Sequence, residues 1–168
     1  MTLDELNNLP EPDAIDAFTR CCGAHRWVNK MVHKRPFRDR EDLLAAADEV
    51  WERLGREDYL EAFSHHPKIG DMDALRKKFA STATWASGEQ SGTAAASEET
   101  LRGLAEGNEA YERKNGFIFI ICATGKSAAE MLEALNQRLD NPPETELVIA
   151  SQQQAMITRL RLEKLLTP

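Results

Sequence analysis

Helical periodicity, punctuated by its own start and stop signals, leaves this chain little freedom to fold as anything but packed α-helices. The clearest stretch opens at Asp39, whose carboxylate can cap the first free amides of a helix. Leu43, Leu44, Ala47, Val50, Trp51 and Leu54 then recur three or four residues apart, one face of a 3.6-residue repeat, before Gly55. The same grammar repeats on either side. Thr2 with Glu5 forms a capping-box pattern. Ile15, Phe18 and Cys22 share a stripe, and Gly23 reads as a left-handed stop. Trp27, Val28, Met31 and Val32 make a second stripe that ends by Pro36. A shorter helix is expected around Asp58–Phe63, and Asp71 can cap another through Phe79. Ser97 opens a long helix through Lys114, with Leu101, Leu104, Ala105, Asn108 and Tyr111 on one side and Gly116 as its stop. Ser127–Leu139 follows, Asn141-Pro142-Pro143 forces a break, and a last helix covers about Glu144–Leu166.

Two stretches break the pattern. Phe117–Ala123 is wholly apolar and β-prone, but no second strand exists to pair with it, so it is expected as buried extended chain. Ser81–Ala96 is rich in Ser, Thr, Ala and Gly; its composition suggests a linker, its mid-chain position a structured loop. No internal repeat is visible. At 168 residues the chain suits a single domain over residues 1–168. The expected class is all-α: a compact multi-helix domain with short loops and one buried extended segment. It has too many elements for an up-down four-helix bundle.

The formal net charge of −7 argues against nucleic acid or anionic lipid as a partner, since either needs a basic face. A small anion remains compatible, because a pocket's local field can oppose the charge of the whole chain. The basic runs Lys30–Arg40 and Arg76–Lys78 read first as solvated faces. Cys21, Cys22 and Cys122 are odd in number and two are adjacent, which suits a reducing cytoplasm better than a disulfide framework. The chain starts Met-Thr-Leu-Asp-Glu without an apolar signal core, and its last three residues, Leu-Thr-Pro, form no targeting tripeptide. The longest apolar run has seven residues, Phe117–Ala123, too few to cross a bilayer.

Three positions stand out chemically. His66 precedes Pro67, which disfavours helical dihedrals at the residue before it, so the imidazole is displayed from a turn beside Lys68 and Gly70. Such a group suits general acid–base work near neutral pH; it equally suits a helix C-cap. His65 points elsewhere, and His25 and His33 lie on helices as surface or packing residues. Ser87 with Gln90 matches a capping box, which would place Glu89 in a first helical turn flanked by Gly88 and Gly92, open to a ligand. Arg161 lies four residues from both Ile157 and Leu165. A guanidinium along that apolar stripe marks a bound anion or carboxylate, or else snorkels at the rim.

These motifs together resemble one family. His66-Pro67-Lys68-Ile69-Gly70 is similar to the His-Pro-basic-Ile-Gly signature of the 2-oxo-4-hydroxy-4-carboxy-5-ureidoimidazoline (OHCU) decarboxylases. Glu89-Gln90 falls about two dozen residues later, as their Glu-Gln motif does. Asn108, Tyr111, Lys114, Gly116, Phe117 and Phe119–Ala123 resemble the family's Asn-x-x-Tyr…Lys-Phe-Gly-Phe-x-Phe-x-Ile-Cys-Ala block, and Ile157–Leu162 its closing Ile-x-x-Leu-Arg-Leu helix. The resemblance implies His66 as catalytic proton donor, Glu89 as its carboxylate partner at the substrate hydroxyl, and Arg161 as the substrate-anchoring cation. It further implies a pocket lined by Pro67, Ala86, Ser87, Gly88, Glu89, Gln90, Phe119, Ile120, Ile121, Cys122 and Ala123, and a homodimer. Ala86 stands where the family often has Ser, Asn115 where Phe is common, and Ser91-Gly92 where Ala-Gly is usual.

The implied reaction is decarboxylation of OHCU to (S)-allantoin and CO2 in urate breakdown, with no cofactor and no metal. A decarboxylation must park an electron pair, usually on a cofactor. The OHCU ring supplies its own conjugated C=N and C=O groups. Two rival readings remain. A metal-dependent helical hydrolase would use the histidines with acidic residues, but the chain has no HxxxH or HExxH spacing. A non-catalytic interaction domain would use Ser81–Ala96 as a docking segment and tolerate loss of His66 and Glu89.

Overall fold

The computed structural model describes residues 1–67, 72–77, 79 and 97–167. Every regular element among them is helical, as expected from the periodicity, and no described residue is in a strand. The chain divides into two compact units, Met1–His66 with Ile149–Pro168, and Pro67–Val148.

The first unit holds α1 (Leu3–Asn8), α2 (Glu11–Cys21), α3 (His25–Lys34), α4 (Arg40–Glu52), α5 (Arg56–Ser64) and most of the last helix, α8 (Pro143–Leu165). Local signals set its helix starts. The Thr2 hydroxyl accepts from the Glu5 amide at 3.1 Å while the Glu5 carboxylate accepts from the Thr2 amide at 2.7 Å. Asp39 caps α4 by accepting from the Asp42 amide at 2.8 Å. Helix α3 packs against α2, α4 and α5. Its Trp27 is fully buried, edge-on to Phe18 with ring centroids 5.9 Å apart, and its indole N–H donates to the Ala47 carbonyl at 3.1 Å. Phe18, Met31 and Leu43 complete this centre, each contributing roughly 1.5–3 kcal/mol by leaving water. Trp51 ties α4 to the last helix by donating to the Ser151 carbonyl at 2.9 Å.

Gly23 is not the left-handed stop its position suggested. Helix α2 ends on an extended Cys22, and the only positive-φ glycines among the described residues are Gly116 and Gly125. Gly23 serves close approach instead: a Cβ there would lie 2.3 Å from Cγ of His65.

The second unit contains helical residues 72–77, α6 (Glu98–Asn115), α7 (Ala128–Leu139) and the first turns of α8. Ser97 and Ser127 cap α6 and α7 as expected, and Gly116 closes α6 at φ 80° with its N–H on the Glu112 carbonyl. Helices α6 and α7 pack closely because Gly107 carries no side chain; a Cβ there would meet Leu135 at 2.6 Å. Between them, Phe117–Ala123 runs without regular structure, with Phe117, Ile120 and Cys122 buried and the intervening residues partly so. The segment is buried and non-helical, as expected for this apolar run. Asn115, where the family often has Phe, is buried; its amide N–H donates to the Tyr111 carbonyl at 3.1 Å and its Oδ1 has no partner.

Candidate active site

Helix α5 delivers His66. The His65 amide donates to the Ala62 carbonyl at 3.2 Å and the His66 amide to that of Phe63 at 3.1 Å, so the helix tightens and stops just before Pro67. The His66 ring is half-buried, and its Nε2 lies 2.5 Å from Oε1 of Gln154 on α8. Gln154 is 1% exposed, and its Nε2 donates to the Thr158 hydroxyl at 3.0 Å. Thr158 and the Ala24 amide both favour the charged form of the buried Cys22 thiol, against the burial that opposes it. One side of His66 is therefore fastened to a buried polar pair, Gln154 and Thr158, on α8.

Burial holds the His66 pKa below its ordinary value, and the positive charges of Arg161 and His65 act the same way. The Gln154 hydrogen bond opposes them by favouring the protonated ring. The resting imidazole is neutral near pH 7. Burial pushes the Cys21 and Cys22 thiols up to about 11, so neither is a nucleophile at neutral pH.

Arg161 sits on α8 beyond this chain and is exposed. The buried line of that part of the helix is Ala150, Gln154, Thr158 and Leu162, while Ile157 and Leu165 are only partly buried. The stripe through Ile157, Arg161 and Leu165 is thus the flank of the helix, and Arg161 is at its rim. Among the described residues it makes no hydrogen bond or ion pair, yet its charge reaches His66, Cys21 and Cys22. A guanidinium whose charge reaches a half-buried imidazole is suited to holding an anion where that imidazole can exchange a proton.

Ala86, Ser87, Gly88, Glu89 and Gln90 lie outside the described residues. Pro67 is exposed directly after His66. In the second unit, the strip Phe119–Ala123 is held by a network the sequence reading missed. Arg138 Nη1 donates to the Ile120 carbonyl at 2.6 Å, and its guanidinium carbon lies 4.5 Å from the Phe119 ring centroid. Arg138 Nε donates to Glu146 Oε1 at 2.8 Å, where the Tyr111 hydroxyl also donates at 2.5 Å; Asn141 donates to Oε2 at 2.8 Å. Glu146 is fully buried. Burial and this carboxylate raise the Tyr111 pKa, so its phenol stays protonated and donating.

A separate open depression of about 440 Å³ is lined in part by His25, Arg26, Lys30, Arg53 and Asp58. Most of its cations are already matched: Arg26 to Asp58 at 3.8 Å, His25 to Glu61 at 2.9 Å and Arg53 to Glu49 at 3.1 Å. No group of three or more potential metal-ligating side chains occurs among the described residues. No described helix is long and apolar enough to cross a membrane.

Fold and geometry define an all-helical protein in which a half-buried imidazole is held by a buried amide. Comparison with known proteins narrows this class. The family model described as OHCU decarboxylase matches residues 7–163, so the chain belongs to the OHCU decarboxylase family. It is 40% identical over 152 residues to a uric acid degradation bifunctional protein of Arabidopsis thaliana, covering 89% of this chain but 46% of that protein, about half its length. It is 28% identical over 163 residues to a 2-oxo-4-hydroxy-4-carboxy-5-ureidoimidazoline decarboxylase of Haloferax volcanii, covering 96% and 94% of the two chains. Among solved structures, an OHCU decarboxylase crystallised in the presence of (S)-allantoin superposes with a TM-score of 0.74 at 38% identity, covering 91% of this chain and 99% of that one.

Proposed function

We propose that this chain is a carboxy-lyase that needs no cofactor, converting 2-oxo-4-hydroxy-4-carboxy-5-ureidoimidazoline to (S)-allantoin and CO2 in urate degradation. The observation that carries this reading is the half-buried, neutral His66, fastened by Gln154 and lying within the field of Arg161, in a chain that matches the family along almost its whole length. Arg161 binds the anionic substrate. The C–CO2 bond breaks with its electron pair left on the ring, where the conjugated C=N accepts it. The product then differs from the substrate carboxylate by loss of CO2 and gain of one proton.

His66 supplies that proton. Its resting ring is neutral because burial and Arg161 disfavour the charged form. An arriving carboxylate offsets the Arg161 charge and draws a proton onto the imidazole. Delivery from one fixed side yields one enantiomer. The roles of Glu89 at the substrate hydroxyl, and of Pro67, the Ala86–Gln90 loop and the Phe119–Ala123 strip as pocket lining, rest on the family resemblance. So does a homodimer, which sedimentation would test. The reading takes residues 1–168 as one catalytic domain in a reducing cytoplasm, in keeping with three buried cysteines that form no disulfide. It leaves no role for nucleic acid or a membrane surface as a partner.

The test generates the labile substrate from urate by the two preceding enzymatic steps, adds this protein, and follows circular dichroism. A signed signal that rises and persists as allantoin forms is the expected result. Decay at the unaided rate to a signal-free racemate would overturn the assignment.

A further inference from the structure

We propose that Gln154 is the positioning residue that selects the working nitrogen of His66, committing Nε2–H to its own carboxamide oxygen and leaving Nδ1 to exchange the proton with substrate. This inference rests on the reading of His66 as the proton donor and goes one step deeper. Gln154 is 1% exposed, and both ends of its amide are engaged: Oε1 by His66 at 2.5 Å and Nε2 by Thr158 at 3.0 Å. Among the described residues, Nδ1 of His66 has no hydrogen-bond partner.

The polarity of this chain follows from the chemistry it must support. A proton-delivering imidazole passes through the imidazolium, in which both ring nitrogens are donors. An amide NH2 facing Nε2 would then meet an N–H and repel it, whereas a carbonyl oxygen accepts from the neutral Nε2–H form and the cation alike. With Oε1 turned to His66, the amide NH2 faces Thr158 and donates to its hydroxyl. The ring therefore gains and loses its proton at Nδ1, and Gln154 fixes the plane in which Nδ1 points.

Among the described residues, the groups facing the ring are Gln154, Arg161 and His65. Nitrogen-15 histidine spectra of the wild-type protein at pH 7.5 are expected to show His66 as the Nε2–H tautomer. Gln154→Leu removes the acceptor at similar volume; tautomers should mix, and kcat should fall about 10- to 100-fold, a fraction of the factor general acid–base catalysis supplies. KM should change less than about 3-fold, because Gln154 does not touch substrate. Gln154→Glu keeps an acceptor and adds charge that favours the donating imidazolium, so it should retain most activity at its optimum while moving the alkaline limb of the pH–rate profile upward. An Nδ1–H tautomer in the wild type overturns the inference without recourse to any variant. Wild-type kcat in Gln154→Leu, or an unmoved profile in Gln154→Glu, overturns it as well. Wild-type protein inert towards OHCU would sink the functional reading instead, and the tautomer measurement would stand apart from that result.

Discussion

Removing the carboxylate of Glu146 should cost more stability than any other single polar change in the second unit. Glu146 is fully buried, Arg138 is 8% exposed, and the two meet at 2.8 Å. In Glu146→Leu the guanidinium keeps the Ile120 carbonyl and the Tyr111 hydroxyl, yet loses the carboxylate that opposes its charge. Stranding one member of a buried pair costs about 3–5 kcal/mol. Arg138→Met leaves the carboxylate with donors from Tyr111 and Asn141, which should place it at the low end of that range. The double variant strands no charge. It still orphans the Ile120 carbonyl and the Tyr111 hydroxyl, each a loss of about 1–3 kcal/mol. Its cost, about 2–6 kcal/mol, should therefore fall roughly 3 kcal/mol below the sum of the singles at mid-range. Urea unfolding at pH 7, followed by helical circular dichroism, measures all four proteins. Single losses below about 1 kcal/mol, or strict additivity, would refute the claim that this pair is desolvated and coupled.

Two further outcomes follow from the first unit. The folded-state pKa of His66 is lowered, so the unfolded chain takes up its proton first as pH falls. The stability His66 contributes should be fully present above its unfolded pKa of about 6.5 and be lost as pH drops towards the folded value; urea midpoints at pH 7.5 and 5.5 should separate more for wild type than for His66→Asn, and equal separations would refute this. Gly23→Ala would place a Cβ 2.8 Å from Cβ of His65 and closer still to its ring, so the turn bearing His66 has to move. A loss of about 1–3 kcal/mol with a reduced kcat is expected. Both should be largely restored by adding His65→Ala, and no restoration would mean the clash is not the cause.

What could be read from the sequence, and what could not, divides by the range of the interaction. Thr2, Asp39, Ser97 and Ser127 each cap a helix through an amide three residues away, so the residue type and its position already determine the hydrogen bond. The apolar Phe117–Ala123 run was legible for a related reason: a strand needs a partner, and none was available. Gly23 shows the limit. A glycine after an apolar stripe reads as a left-handed stop, but here its missing side chain makes room for His65, forty-two positions along the chain. For Arg161 the sequence left two readings open, a guanidinium on the apolar stripe holding an anion or one snorkelling at its rim, and it lies at the rim. Both it and Thr158 lie one helical step from apolar neighbours, and only packing decides that residues 154, 158 and 162 face inward while 161 marks the rim. Gln154, Arg138 and Glu146 left no signal, because a polar residue within a helical stripe ordinarily marks the edge of the buried face. Each becomes meaningful only when a partner from a distant segment desolvates it: His66 for Gln154, the Ile120 carbonyl for Arg138, Tyr111 for Glu146. A catalytic imidazole can be found by its turn; the amide that orients it is fixed by tertiary packing, which is why perturbing Gln154 tests the site more sharply than perturbing any motif residue.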